Sequence, residues 1–247
     1  MKTILNAQSI TKSYGEMQII KDLTVSLGES ELVCVLGVSG VGKTTLFNIL
    51  SGLVLPDSGR VVLNGEDITG TCGRLSYMQQ KDLLLEHKTV LDNTALPLIL
   101  SGTKKSIARE MAAGYFEQFG LSGTEYKYPS QLSGGMRQRA AFLRTYLCAC
   151  PVALLDEPFS ALDTHTKRAL EEWYLGVMEE IKLSTLFITH DVDEAVLISD
   201  RIYIMSGRPA GIATELAISE PKPRIGEFML SDEFIAYKRK INSEIHI

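Results

Sequence analysis

At 247 residues, 45% of them hydrophobic and 22% charged, the chain has the makeup of an ordinary soluble globular protein, long enough to bury a core as one domain with room for a subdomain. A formal net charge of -5 argues against broad non-specific binding to nucleic acid, so no nucleic-acid partner is expected. No stretch approaches the roughly 18–20 consecutive apolar residues of a bilayer span, and the start, Met1 to Asn6, lacks the apolar core of a secretory signal. Cytoplasmic residence is the expectation.

In chain order, strand-like segments come first: Ile4 to Ser13, Leu23 to Leu27 and Glu31 to Leu36. A glycine-rich turn follows the third, and a helical pattern runs from Lys43 to Leu50. Residues 59–65, Gly-Arg-Val-Val-Leu-Asn-Gly, predict another strand closed by an Asn-Gly turn. From Thr89 to about Cys150 strand signals fade, and Ile107, Met111, Tyr115, Phe116 and Phe119 recur at helical spacing, which predicts an inserted helical subdomain. Strands and helices then alternate: Pro151 to Leu155, a helix over Lys167 to Ile181, Thr185 to Thr189, and Arg201 to Met205. Such alternation predicts an α/β fold with a largely parallel sheet covered by helices. The tail from Pro221 has two prolines and an amphipathic stretch, too short for another domain.

The four cysteines, at 34, 72, 148 and 150, are scattered. Cys148 and Cys150 flank one alanine in an apolar, helix-like run with no second Cys or His pair nearby. A zinc site needs about four ligands at suitable spacing, so buried free thiols are expected instead.

Gly37-Val38-Ser39-Gly40-Val41-Gly42-Lys43-Thr44-Thr45 fits the phosphate-binding loop G-x-x-x-x-G-K-[ST], and it stands between an apolar strand and a helix. Glycines let the backbone wrap closely on phosphate, turning its N–H groups and the helix N-terminus toward the anion. Lys43 would reach the β- and γ-phosphates, and the Thr44 hydroxyl would hold Mg²⁺. The loop predicts nucleotide binding without separating ATPases, GTPases and kinases.

A second apolar run, Val152 to Leu155, ends in Asp156-Glu157-Pro158. A buried strand delivers its C-terminal end to the edge where ligands bind in open α/β sheets. Asp156 is then placed to bind Mg²⁺, directly or through water, and Glu157 to take a proton from the attacking water.

Leu132-Ser133-Gly134-Gly135-Met136-Arg137-Gln138-Arg139 adds a second anion site: a serine and two glycines opening a basic helix, with free N–H groups pointing outward. This segment resembles the signature motif of ATP-binding-cassette proteins, and the resemblance extends from Tyr14 to about Arg224. It implies a phosphate-loop core with an antiparallel β subdomain and an inserted helical subdomain at about 83–150, all within residues 1–220, followed by a short tail at 221–247. It implies ATP and Mg²⁺ as ligands, and a head-to-tail homodimer in which Ser133, Gly134 and Gly135 close over the ATP held by the opposite phosphate loop. Tyr14 matches the aromatic that stacks on adenine. Gln80 matches the glutamine that touches Mg²⁺ and links the nucleotide to a transmembrane partner. Ser160-Ala161-Leu162-Asp163 resembles the loop that crosses the dimer interface, and His190 matches the switch histidine at the γ-phosphate.

Two departures bear on these assignments. Gln79 replaces the aromatic that commonly precedes the loop glutamine, so Gln79 competes with Gln80; the register of Leu84-Leu85 and Thr89-Val90 favours Gln80. Lys-Thr-Thr replaces the commoner Lys-Ser-Thr and keeps the hydroxyl. The end, Ser206 to Ile212 with Pro223-Arg224, resembles the nitrate, sulfonate and taurine importer group, which includes carriers of thiamine precursors, although Arg-Pro-Ala-Gly-Ile and Glu86-His87 differ from its usual residues. The resemblance therefore implies an importer motor on separate permease subunits with a solute-binding protein, peripheral on the inner face of the cell membrane. An exporter ATPase and a soluble cassette ATPase stay open as alternatives.

Overall fold

Five consecutive buried residues, Leu32–Leu36, form strand β3, and the rest of the molecule is arranged around it. The computed structural model describes residues 2–160, 164–224 and 226–245. Before β3 lie two long antiparallel strands, β1 (Thr3–Tyr14) and β2 (Met17–Gly28). The sequence pattern caught only the second half of β2, because its first half carries exposed Gln18, Lys21 and Asp22 and alternates weakly. After β3 come helix α1 (Lys43–Leu50), β4 (Ser58–Leu63), β5 (Glu66–Asp67) and β6 (Ser76–Met78). Asn64 (φ 51°) and Gly65 (φ 84°) make the expected tight turn between β4 and β5, since two successive positive φ angles match the twist of a hairpin.

Four helices occupy the predicted helical stretch: α2 (Val90–Thr94), α3 (Leu96–Leu100), α4 (Lys105–Ala113) and α5 (Gly134–Tyr146). The apolar spacing of Ile107 and Met111 does not mark the buried face of α4. Ala108 and Ala112 are its buried residues, whereas Ile107 and Met111 are exposed. Small side chains let α4 approach its neighbours closely, and the bulk is supplied from beyond the helix. Phe116 and Phe119 are fully buried, and Phe119 meets Phe142 and Trp173 with ring centroids 5.7 and 5.8 Å apart.

The chain continues through β7 (Val152–Asp156), α6 (Thr164–Ile181), β8 (Ser184–Thr189), α7 (Val192–Ile198), β9 (Arg201–Gly207), β10 (Ala210–Ala217) and α8 (Asp232–Glu244). The strands form one sheet in the order β5-β4-β1-β2-β10-β9-β3-β8-β7-β6. The β9-β3-β8-β7-β6 half is parallel, and the β5-β4-β1-β2 half is antiparallel. α1 packs Leu46, Phe47, Ile49 and Leu50 into one core, where β1 and β2 meet one face of β3. α5, α6, α7 and α8 fill a second core on the other side, to which α8 contributes Phe234 and Ile241.

The tail is tied to α7 at both ends. The Arg224 guanidinium, buried, donates to the carbonyl oxygens of Val196 (3.0 Å), Ser199 (2.5 Å) and Glu220 (2.7 Å), and Lys238 pairs with Asp193 at 2.6 Å. Among the described residues no helix is long and apolar enough to cross a membrane. The thiols depart from expectation: only Cys34 is buried, while Cys72 and Cys148 are exposed and Cys150 is intermediate. Cys148 and Cys150 lie beyond the end of α5, because the helix stops at Tyr146 and Ala149 takes a positive φ.

Candidate active site

The parallel half of the sheet brings three chain segments to one edge. Leu36 of β3 pairs with Thr189 of β8, and Ile188 pairs with Asp156 of β7. The residues that follow these strand ends, namely the 37–42 loop, Glu157 and His190, therefore emerge side by side. This is the carboxyl edge where an open α/β sheet binds ligands.

The loop can take its path only with glycine at two places. A side chain on Gly37 would put its Cβ 2.6 Å from the Met205 carbonyl oxygen, and Gly42, with φ 116°, stands directly before α1. Ser39 and Gly40 are exposed, Thr45 is half-buried, and Lys43 is buried. The Lys43 ammonium donates to the carbonyl oxygens of Gly37 (2.6 Å) and Val38 (3.0 Å). Burial lowers its pKa, against the pull of Glu157 and Asp156. Thr44 Oγ1 donates to Asp156 Oδ2 at 3.2 Å, and the Tyr77 hydroxyl donates to the same oxygen at 3.3 Å. Burial raises the Asp156 carboxyl above the usual range, with the Thr44 hydrogen bond opposing.

Glu157 takes a left-handed backbone conformation, φ 47°, unusual for a residue with a side chain. Its N–H donates to the Ile188 carbonyl oxygen, which fixes the turn against β8. Its carboxylate lies between two groups: Gln80 Nε2 donates to Oε2 at 3.0 Å, and His190 Nδ1 is 3.1 Å from Oε1. Ser160 closes the group, donating Oγ to the Glu157 carbonyl oxygen and standing 3.4 Å from Gln80 Nε2. These side chains line a cleft of about 790 Å³ with Ser39, Arg137 and Gln138.

Gln79 and Gln80 face opposite ways. Gln80 lines this cleft, and Gln79 lines a separate groove of about 680 Å³ with Leu83, Leu85, Leu96, Leu100, Arg144, Cys148 and Cys150. Of the two, Gln80 is the glutamine in contact with Glu157.

Ser133 caps α5, its Oγ accepting from the Met136 N–H at 3.3 Å; Ser133 and Gly134 are exposed, and Gly135 packs inward. One turn further, Arg137 grips Asp82 at 2.9 and 3.2 Å and Glu86 at 2.9 Å, and Arg144 donates to the Asp82 and Leu83 carbonyl oxygens. The segment after Gln80 is thereby bound to the helix that follows Ser133. Tyr14 ends β1, half exposed, with the Lys12 ammonium 5.5 Å from its ring centre. Asp163 lies outside the described residues. Sequence reading missed Tyr77, Asp82 and Arg137, whose side-chain partners are 51 to 79 residues away, and no local pattern marks such pairings.

A glycine loop closing on a lysine, beside two strand-end acids, defines a nucleotide hydrolase of the phosphate-loop type. The profile of the family described as ABC transporter matches residues 20–160. The formylaminopyrimidine import ATP-binding protein ThiZ of Halalkalibacterium halodurans is 41% identical over 88% of this chain and 86% of its own length. The nitrate import ATP-binding protein NrtD of Synechocystis is 35% identical, over 93% and 88%. A solved dimeric ATP-binding cassette in a post-hydrolysis state with ADP and phosphate superposes with a TM-score of 0.75 at 26% identity, covering 88% of this chain and all of that one. The chain belongs to the ABC transporter family, and it is an ATP-hydrolysing cassette with that fold.

Proposed function

We propose that the chain is the motor subunit of an uptake transporter, and that the Glu157 cluster is its hydrolytic centre. The observation that carries the reading is the placement of the Glu157 carboxylate between the Gln80 amide and the His190 ring, beside the phosphate loop. In this reading Glu157 accepts the proton of the attacking water, and Gln80 and His190 hold water and γ-phosphate in line. Lys43 exchanges its two loop carbonyls for phosphate oxygens. Tyr14 stacks on adenine, and Gly37, Ser39, Gly40, Gly42 and Thr45 cradle the phosphates.

Thr44, Asp156 and Gln80 offer the all-oxygen donor set that suits Mg²⁺, and Thr44 and Asp156 already converge at 3.2 Å. When bound there, Mg²⁺ neutralises charge building on the β- and γ-phosphates. Ser133 and Gly134 present an exposed helix start, with Gly135 packed behind them, that fits the nucleotide of a second copy in a head-to-tail dimer, an interface to which the family resemblance adds Asp163. We take residues 1–220 as the catalytic unit and 221–247 as its tail. The groove beside Gln79, with apolar Leu83, Leu85 and Leu100, suits a helix of a permease subunit. The names of the relatives favour import of a small solute of the formylaminopyrimidine or nitrate kind, delivered by a solute-binding protein at a membrane whose inner face carries this chain.

The test is recovery of tagged Glu157→Gln with MgATP from native membranes in gentle detergent, with partners identified by mass spectrometry. A multi-span permease together with a solute-binding protein is the expected result. A permease without one would shift the reading to export, and no membrane partner at all would overturn it.

A further inference from the structure

We propose that Lys167 is a positioning residue for His190, tying the first turns of α6 to both flanks of the histidine. The inference rests on the reading of His190 as a group that acts on the γ-phosphate. The His190 side chain is half exposed and its ring contacts Glu157, so its aim depends on the backbone that carries it. That backbone is fixed on each side. Thr189 Oγ1 donates to Glu194 Oε2 and accepts from the Asp191 N–H at 3.0 Å. Asp191 Oδ1 in turn accepts from the N–H groups of Asp193 (2.8 Å) and Glu194 (3.3 Å), capping α7.

Both anchors are carboxylates, and Glu194 is 3% exposed. Asp191 beside it is only half-buried, and a cation between the two offsets their repulsion and the cost of burying Glu194. Lys167 supplies it from α6, with Nζ 2.6 Å from Asp191 Oδ2 and 2.5 Å from Glu194 Oε1. The neighbouring cations are engaged elsewhere: Arg168 with Glu172 and Met229, and Lys238 with Asp193. Glu171 adds a third carboxylate 4.0 Å from Lys167. Burial works against the Lys167 ammonium, yet its bonds to Asp191 and Glu194 outweigh that and raise its pKa.

Without the ammonium, Asp191 and Glu194 repel each other. Asp191 can escape by turning outward, which uncaps α7 and releases the Thr189-His190-Asp191 turn. Lys167 stands four residues after Asp163, which ends the Ser160–Asp163 loop that the family resemblance assigns to the dimer interface.

The experiment is a double-mutant cycle on ATP turnover with Lys167→Met, His190→Ala and the pair, with KM and thermal melting measured for each. Lys167→Met is expected to lower kcat about 10- to 100-fold with KM within about twofold, since a misplaced group costs rate while the phosphate loop is untouched. In the His190→Ala background it should add no further loss, and Lys167→Arg should restore most of the turnover. Should Lys167→Met fail to fold, Lys167→Gln, which removes the charge but keeps a hydrogen-bond donor, is expected to give the same split. Equal losses from Lys167→Met with and without His190 would overturn the positioning role. Normal turnover in Lys167→Met beside a slow His190→Ala would overturn it as well. Full turnover in His190→Ala alone would instead remove the role of His190, and this inference with it.

Discussion

Two groups of carboxylates lie on neighbouring strand ends: Asp156 and Glu157 after β7, and Asp191 and Glu194 after β8, with Glu171 facing the latter from α6. The second group holds an ammonium of its own, in two contacts at 2.5 and 2.6 Å. The first is held by hydroxyls, an amide and an imidazole, and the nearby Lys43 ammonium is bonded to carbonyl oxygens instead. The difference separates scaffold from chemistry. A neutralised carboxylate is fixed and inert, whereas one surrounded by neutral dipoles can still accept a proton or a metal ion.

The sharpest way to break this comparison is Glu157→Gln, which keeps shape and removes the proposed base. Turnover should fall by about 10²–10⁴-fold, with MgATP binding retained in a filter or calorimetric assay. Near-normal turnover would erase the distinction between the groups. Glu194→Gln tests the other side: burial opposes this charge too, but the substitution takes away one of the two close partners of Lys167, and chemical denaturation should show a net loss of about 1 kcal/mol. Asp156→Asn should do the opposite of a scaffold change. Because burial opposes its charge, stability should hold or rise by about 1 kcal/mol, while the Mg²⁺-dependent part of ATP affinity disappears.

A further effect concerns Glu171, whose carboxyl is pushed up to about 7, first by burial and then by Glu194. A folded-state pKa raised above the unfolded value contributes stability below about pH 4.5, and that contribution is lost as pH rises through about 7. Glu171→Gln should therefore stabilise the protein at pH 8 by about 1–2 kcal/mol, after a discount for solvent screening, and by nothing at pH 4. A gain independent of pH would mean that the ionised Glu171 carries no cost.

What was legible in the sequence was local. The phosphate loop, the strand ending in Asp156-Glu157 and the Ser133 helix start are short patterns that a few consecutive residues specify, and the fold follows from their order. The side of Gln80 needed the strand beneath it. The inward face of α4 was hidden because alanines do the packing there and the larger Ile107 and Met111 point outward. Lys167 was hidden for another reason: its partners are 24 and 27 residues away, on a different element, and a lysine in an amphipathic helix reads as a solvated one.

The two attachments of the tail to α7 have a mechanical consequence. Arg224 bonds four backbone carbonyls, two of them at the end of α7, and Lys238 holds Asp193 in its first turn. Load applied to residues 221–244 is carried through α7 to the turn that bears His190. The tail is then a stiffening spar mounted in series with that turn.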